Sequence, residues 1–259
     1  PEAFAKQAKV LQIDIDKSEI GKNVAVAEAI VGDCKQVLQA LLPHIEKAQH
    51  ADWLEQIEAW QAEHPTQIRD AHGMLNPQEI IACMCAHDAD KETIFVTDVG
   101  QHQMWAAQYV KQTKPRNFLT SGGLGTMGFG FGAAIGAAFG TGERSVLVTG
   151  DGSFGMCLNE LATAVTYNVP VVVLIMNNGV LGMVRQWQTL FYNRHYSNTV
   201  LNRKTDFAAF ARSFGAEGEA VNTPEELDAA LTRAFGHEGP YIIDCKIDKD
   251  EFVLPMLPP

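Results

Sequence analysis

From Pro77 to Ile247, short runs of β-branched and aliphatic residues alternate with stretches whose apolar residues recur at helical spacing. The runs are "TIFVTD" (93–98), "SVLVTG" (145–150), "VPVVVLIMN" (169–177) and "YIIDCKI" (241–247). Helices are predicted near Gln78–His87, Gly128–Phe139, Met156–Tyr167, Asp206–Phe214 and Pro224–Phe235. A strand without polar alternation has to be covered on both faces, and helices between successive strands supply that cover as crossover connections. The fold class that follows is α/β, a parallel sheet flanked by helices on both faces. Ligands of such sheets sit beyond the carboxyl ends of the strands.

Upstream, "VLQIDID" (10–16) reads as another buried strand and "VAEAIVGDCKQVLQALLPHI" (26–45) as the helix after it, one strand and one helix of a separate α/β unit. A polar, Trp-marked helix, "ADWLEQIEAWQAEH", follows and is stopped at Pro65. The expected organisation is a remnant of a preceding domain over 1–47, a linker with a helix over 48–75 and the main domain over 76–259. No initiator Met precedes Pro1 and a strand pattern begins almost at once. The chain is therefore expected to be a piece of a longer protein.

A net charge of -11 argues against a nucleic acid or an anionic membrane surface as partner, because recognising phosphate by surface charge needs a basic stripe. Any phosphate has to be held locally, by backbone amides or through a metal. The five cysteines are scattered, which predicts reduced thiols. Cys83 and Cys85 read as helix residues and not as metal ligands, since no second pair exists. No apolar stretch approaches the roughly 20 residues of a membrane span, and Pro1 to Phe4 lack a basic region followed by an apolar one. A cytoplasmic location is expected.

Two polar elements stand at strand ends: Gly150-Asp151-Gly152 after "SVLVTG", and Asn177-Asn178 closing "VPVVVLIMN". Taken alone, Gly-Asp-Gly is turn chemistry and Asn-Asn carries even less information. Residues 153–176 between them, however, make just one helix and one strand, so both elements can face one crevice. Asp151 supplies a carboxylate oxygen and Asn178 an amide oxygen, the hard ligands that magnesium prefers, few enough to leave room for water and phosphate. Gly150 and Gly152 let the backbone approach a ligand, and Ser153 with the following helix start offers donors to an anion.

This pattern resembles the signature of thiamine-diphosphate enzymes. The blocks "DVGQHQMWAAQY" (98–109), "TSGGLGTMGFGFGAAIGAA" (120–138), "NNGVLGMVRQWQTLFY" (177–192) and "DCKIDKDEFVLPMLPP" (244–259) extend the likeness over essentially the whole chain. They resemble the catalytic subunits of the acetolactate synthase (acetohydroxyacid synthase) family, with 1–44 similar to the end of its central domain and 76–259 to its diphosphate-binding domain.

The resemblance implies that Asp151, Asn178 and the backbone carbonyl of Val180 hold Mg2+, and that Gln101, His102, Gly152 and Ser153, with Val99, Gly100 and Gly150 beside them, bind the diphosphate. Gly125 would accept from the aminopyrimidine through its carbonyl, and Met127 would keep the cofactor bent, which lets the cofactor's own amino group act by proximity. Met183, Val184 and Trp187 would line the entrance and help select the second substrate. Arg185 and Gln186, polar between them, predict that this segment lies at a cleft edge. The implied reaction decarboxylates pyruvate and joins the two-carbon unit to a second 2-ketoacid, pyruvate or 2-ketobutyrate, in branched-chain amino acid biosynthesis. A homo-oligomer, dimer or tetramer, and a small regulatory subunit are implied partners. FAD is implied for the full-length enzyme but not for this chain. The family's activating glutamate lies in a pyrimidine-binding domain that would precede Pro1, and Glu160 does not match its position; the chain alone is expected to be inactive. Relatives commonly carry Leu-Pro where Phe131-Gly132 stand, a departure that bears on the geometry of a helix start. Two rival readings are another thiamine ketoacid enzyme, of pyruvate oxidase or glyoxylate carboligase type, and a non-catalytic cofactor-binding module.

Overall fold

The computed structural model describes residues 4–64, 73–88, 93–112 and 114–256. It divides into two compact units, Pro1–Thr66 and Gln67–Pro259. In the first, β1 (Leu11–Asp14) pairs in parallel with β2 (Glu28–Val31), and α1 (Cys34–Leu41) and α2 (Ala51–Glu63) follow. The helix predicted over 26–45 thus starts only at Cys34. Its first part is a strand, and Asp33 caps the helix after it by accepting from the Gln36 amide at 3.0 Å. The two-stranded sheet and two helices of this unit enclose little core, and Val31, Leu38 and Leu42 are exposed. The predicted stop at Pro65 and the linker residues 65–72 lie outside the described residues.

The second unit holds α3 (Pro77–His87), β3 (Ile94–Thr97), α4 (Gln101–Tyr109), β4 (Phe118–Leu119), α5 (Phe129–Thr141), β5 (Ser145–Gly150) and the one-turn α6 (Asp151–Phe154). Then come α7 (Leu161–Thr166), β6 (Val171–Asn177), α8 (Gly182–Phe191), α9 (Phe207–Phe214), β7 (Glu217–Val221), α10 (Pro224–Gly236) and β8 (Tyr241–Lys246). The six strands form one parallel sheet in the order β4-β3-β5-β6-β8-β7. The four predicted strands are its centre. Each sends alternate side chains to opposite faces: Val146, Val148, Val172 and Leu174 join one core with Ile80, Trp105 and Leu231 of α3, α4 and α10. Leu147, Val171, Val173 and Ile175 join the other with Phe131, Leu161 and Phe207 of α5, α7 and α9. Among the described residues no helix is long and apolar enough to cross a membrane.

The helix predicted over 156–167 is broken. One turn, α6, starts directly at Asp151, a 3-10 turn follows at Leu158–Glu160, and only then α7. The break lets Phe154 turn into the core between Phe131 and Phe207, with ring centroids 5.4 and 5.7 Å away. Phe131 is fully buried there.

The chain passes from β3 to β4 on one side and returns to β5 on the other, so the loops after β3 and β5 diverge and open a crevice. Asp98, wholly buried at the end of β3, fixes its floor. Its carboxylate accepts from Val99 N at 2.8 Å, Gly128 N at 2.9 Å and Gly130 N at 3.1 Å. Gly128, the residue before α5, has no side chain to cap the helix, and Asp98 does so from the neighbouring strand. Asp98→Ala is expected to destabilise this unit by about 2–4 kcal/mol, because one buried and two half-buried amides lose their acceptor. Asp98→Asn should fall between, and urea unfolding followed by circular dichroism checks the order.

Candidate functional site

At the carboxyl ends of β3, β5 and β6 lies a cleft open to solvent. Of the residues singled out from the sequence it gathers Val99, Gly100, Gln101, His102, Met127, Gly150, Asp151, Gly152, Ser153, Asn178, Val180, Met183 and Val184. Gly125 is not in its wall, though a Cβ placed there would lie 3.9 Å from Val99 Cγ1. Trp187 lines a neighbouring groove with Met183, Val184 and Phe191.

The cleft is assembled by loop-to-loop bonds. Ser153 Oγ donates to the Val99 carbonyl at 2.8 Å, joining the loops after β5 and β3. Asn178 Nδ2 donates to Gln101 Oε1 at 3.3 Å, while its Oδ1 accepts from Val180 N at 3.1 Å. Gln101 Nε2 in turn donates to Gln186 Oε1 and to the Glu251 carbonyl. The Gln101 side chain is therefore held by protein partners, and what it offers a ligand is its backbone amide at the start of α4.

His102 stands on edge between two glycines. A Cβ on Gly150 would come within 3.0 Å of its Nδ1, and one on Gly100 within 2.8 Å of its Cε1. Burial pushes its pKa down to about 3, so the ring is neutral, and its Nε2 is buried without a partner. Trp105 Nε1, in the same wall, is also unpartnered. Buried polar atoms left this way are uncommon, and these two lie in the wall of the cleft. Asp151 is 4% exposed. Burial raises its pKa to about 6, against the lowering effect of its own and the Gly152 backbone amides and of Arg203. The nearby Arg203 charge does not offset that burial; with the Asn178 amide the carboxylate makes a hard-oxygen donor set of the kind magnesium prefers.

α8 borders the cleft, as its sequence reading expects, and its Arg185 and Gln186 point inward. Gln186 is fully buried and bonded to Val253, whose amide donates to Gln186 Oε1 and whose carbonyl accepts from Gln186 Nε2. Arg185 pairs with Asp250 at 2.6 Å and stacks 4.2 Å over the Tyr196 ring. Val184, Trp187 and Leu190 face out.

Sequence reasoning missed Asp98, Trp105, Gln186 and Arg203. Asp98 had a signal, a carboxylate closing an apolar run as Asp151 does. Arg203 had none: a residue in an irregular stretch, it donates to the Asp151 carbonyl at 3.0 Å only because residues 199–201 fold back on 179–181, with Leu181 N on Thr199 O and Leu201 N on Gly179 O at 2.8 Å each.

Residues 98–245 match the family described as thiamine pyrophosphate enzyme, C-terminal TPP binding domain, and residues 1–41 match the central domain of the same enzymes. The chain is 40% identical over 264 residues to the acetolactate synthase large subunit of Haemophilus influenzae, covering 98% of this chain and 46% of that protein. It is 42% identical over 265 residues to a probable acetolactate synthase large subunit of Methanocaldococcus jannaschii, covering 99% and 45%. The mitochondrial catalytic subunit of Aspergillus candidus is 40% identical, with 99% and 38% covered. The chain thus spans less than half the length of these relatives.

Because the folded pKa of Asp151 is raised above its unfolded value, the native state holds more protons between about pH 4 and 6, and the carboxyl costs stability progressively as pH rises through that window. Asp151→Asn is expected to stabilise the metal-free chain by about 2 kcal/mol at pH 7.5, with the difference vanishing near pH 4. Urea midpoints across pH test this.

Proposed function

Since the chain belongs to the thiamine pyrophosphate enzyme family through its C-terminal cofactor-binding domain, we propose that it is the corresponding part of an acetolactate synthase large subunit. The complete subunit would decarboxylate pyruvate and condense the two-carbon unit with a second 2-ketoacid. What carries this reading is likeness along nearly the whole chain to proteins named for that activity, together with a cleft at the divergence of β3 and β5 that holds a buried acid and two unpartnered ring nitrogens.

The residues present fit the implied groups. Asp151, Asn178 and the carbonyl of Val180 would hold magnesium. His102, Gly152, Ser153 and the amide of Gln101 would hold the diphosphate, with Val99, Gly100 and Gly150 giving the close approach. Gly125 and Met127 would fix the cofactor's bend. When bound, thiamine diphosphate supplies the electron sink for decarboxylation and carbon–carbon bond formation. The chain's own work is to orient and to exclude water: the backbone amide of Gln101 at the start of α4 can donate to an anionic oxygen, and the apolar edge formed by Met183, Val184 and Trp187 favours a small ketoacid over water. FAD, a small regulatory subunit, a homo-oligomer and a cytoplasmic location, in keeping with five free thiols, belong to the same reading.

Calorimetric titration of thiamine diphosphate with magnesium should show binding that EDTA removes and that Asp151→Ala weakens by on the order of 100-fold or more. Failure of the folded chain to bind, or binding indifferent to magnesium, would overturn the assignment of the cleft. With pyruvate, cofactor and magnesium the 259-residue chain is expected to form no acetolactate, because the activating glutamate implied by the family lies in its pyrimidine-binding domain. A colorimetric acetoin assay reads this directly, and product from this chain would contradict it.

A further inference from the structure

Away from the cleft, α3 and α10 bring three unlike ligand groups together. Cys83 and His87 stand four residues apart on α3, so their side chains share one stripe of the helix, and Asp228 faces them from α10. Asp228 Oδ1 lies 2.9 Å from His87 Nε2 and 3.8 Å from Cys83 Sγ, and the three donor atoms all lie within 4.8 Å of one another. None of the three lines the cleft.

Thiol, imidazole and carboxylate form a donor set suited to zinc and cobalt(II), whose bonds of about 2.0–2.3 Å place tetrahedral ligand atoms about 3.3–3.8 Å apart. The cluster already stands near that spacing. Its parts are also seated: the His87 ring lies against Phe235 with centroids 5.9 Å apart, and Cys83 packs on the core beneath α3. The Asp228 side chain is 67% exposed, which leaves one side open to water. A hydrogen bond between His87 and Asp228 would by itself need no thiol beside the same oxygen.

We propose that Cys83, His87 and Asp228 form a binding site for a thiophilic divalent cation, zinc by its chemistry, that ties α3 to α10 with water as fourth ligand. Binding replaces the Cys83 S–H bond with an S–metal bond and releases one proton to solvent. Burial first, and then the Asp228 charge, hold the free thiol up at about 11, so the sulfur stays protonated until a metal displaces the proton. The site is independent of the thiamine cleft and of any activity there.

The test is titration of cobalt(II) into the reduced chain with magnesium in excess. One equivalent should give a thiolate-to-cobalt charge-transfer band and the strong visible absorption of tetrahedral coordination, both removed by one equivalent of zinc. Cys83→Ser should abolish the charge-transfer band, Cys85→Ser should keep it, and Asp228→Asn, at an exposed position that folding does not depend on, should weaken cobalt binding about 10-fold or more. Metal-free circular dichroism confirms that each variant is folded. No thiolate band in the wild type, a band that survives Cys83→Ser, or unchanged affinity in Asp228→Asn would overturn the site.

Discussion

A single carboxylate, that of Asp98, holds the carboxyl end of β3 to the start of α5. Three backbone amides surround it, two of them at a helix start capped by a glycine. The charge and the helix start satisfy each other, the helix supplying the positive end of its dipole and the carboxylate the acceptor its first amides lack. Val99 to His102 continue from one side of this knot, and Met127 precedes it on the other. The part of the cleft wall formed by Val99 to His102 and by Met127 therefore inherits its position from one buried group.

Gln78 Oε1 and Thr199 Oγ1 are buried without a partner outside the cleft; in its wall, His102 Nε2 and Trp105 Nε1 also lack partners and Asp151 sits where ionising is costly. The last three groups face one crevice at the divergence of the parallel strands. Such a concentration is what a preformed site for a charged ligand demands: the desolvation is met during folding, so a cation and an anion arriving together need not reorganise the walls.

How much of this was legible in the sequence depended on whether a residue's role is local. The central strands were readable because burial on both faces leaves an unbroken apolar run. The edge strands were not: Phe118–Leu119 is too short to show a period, and "EGEAV" carries the charges that edge strands tolerate. Asp151 and Asn178 could be placed because each closes a strand. Arg203 and Gln186 acquire their contacts only from tertiary folding, and the inward turn of the polar side of α8 inverts what amphipathic pattern implies. The strand hidden in 26–45 was lost because "EAIV" also continues a helical spacing.

That inversion separates two kinds of constraint on one helix. Arg185 and Gln186 anchor α8 from within, through Asp250 and Val253, so its attachment does not depend on Val184, Trp187 or Leu190. The outward residues are thus free of the packing that restrains most apolar side chains. Over evolutionary time, the rim of the cleft can drift and acquire new preferences while the helix beneath it stays moored.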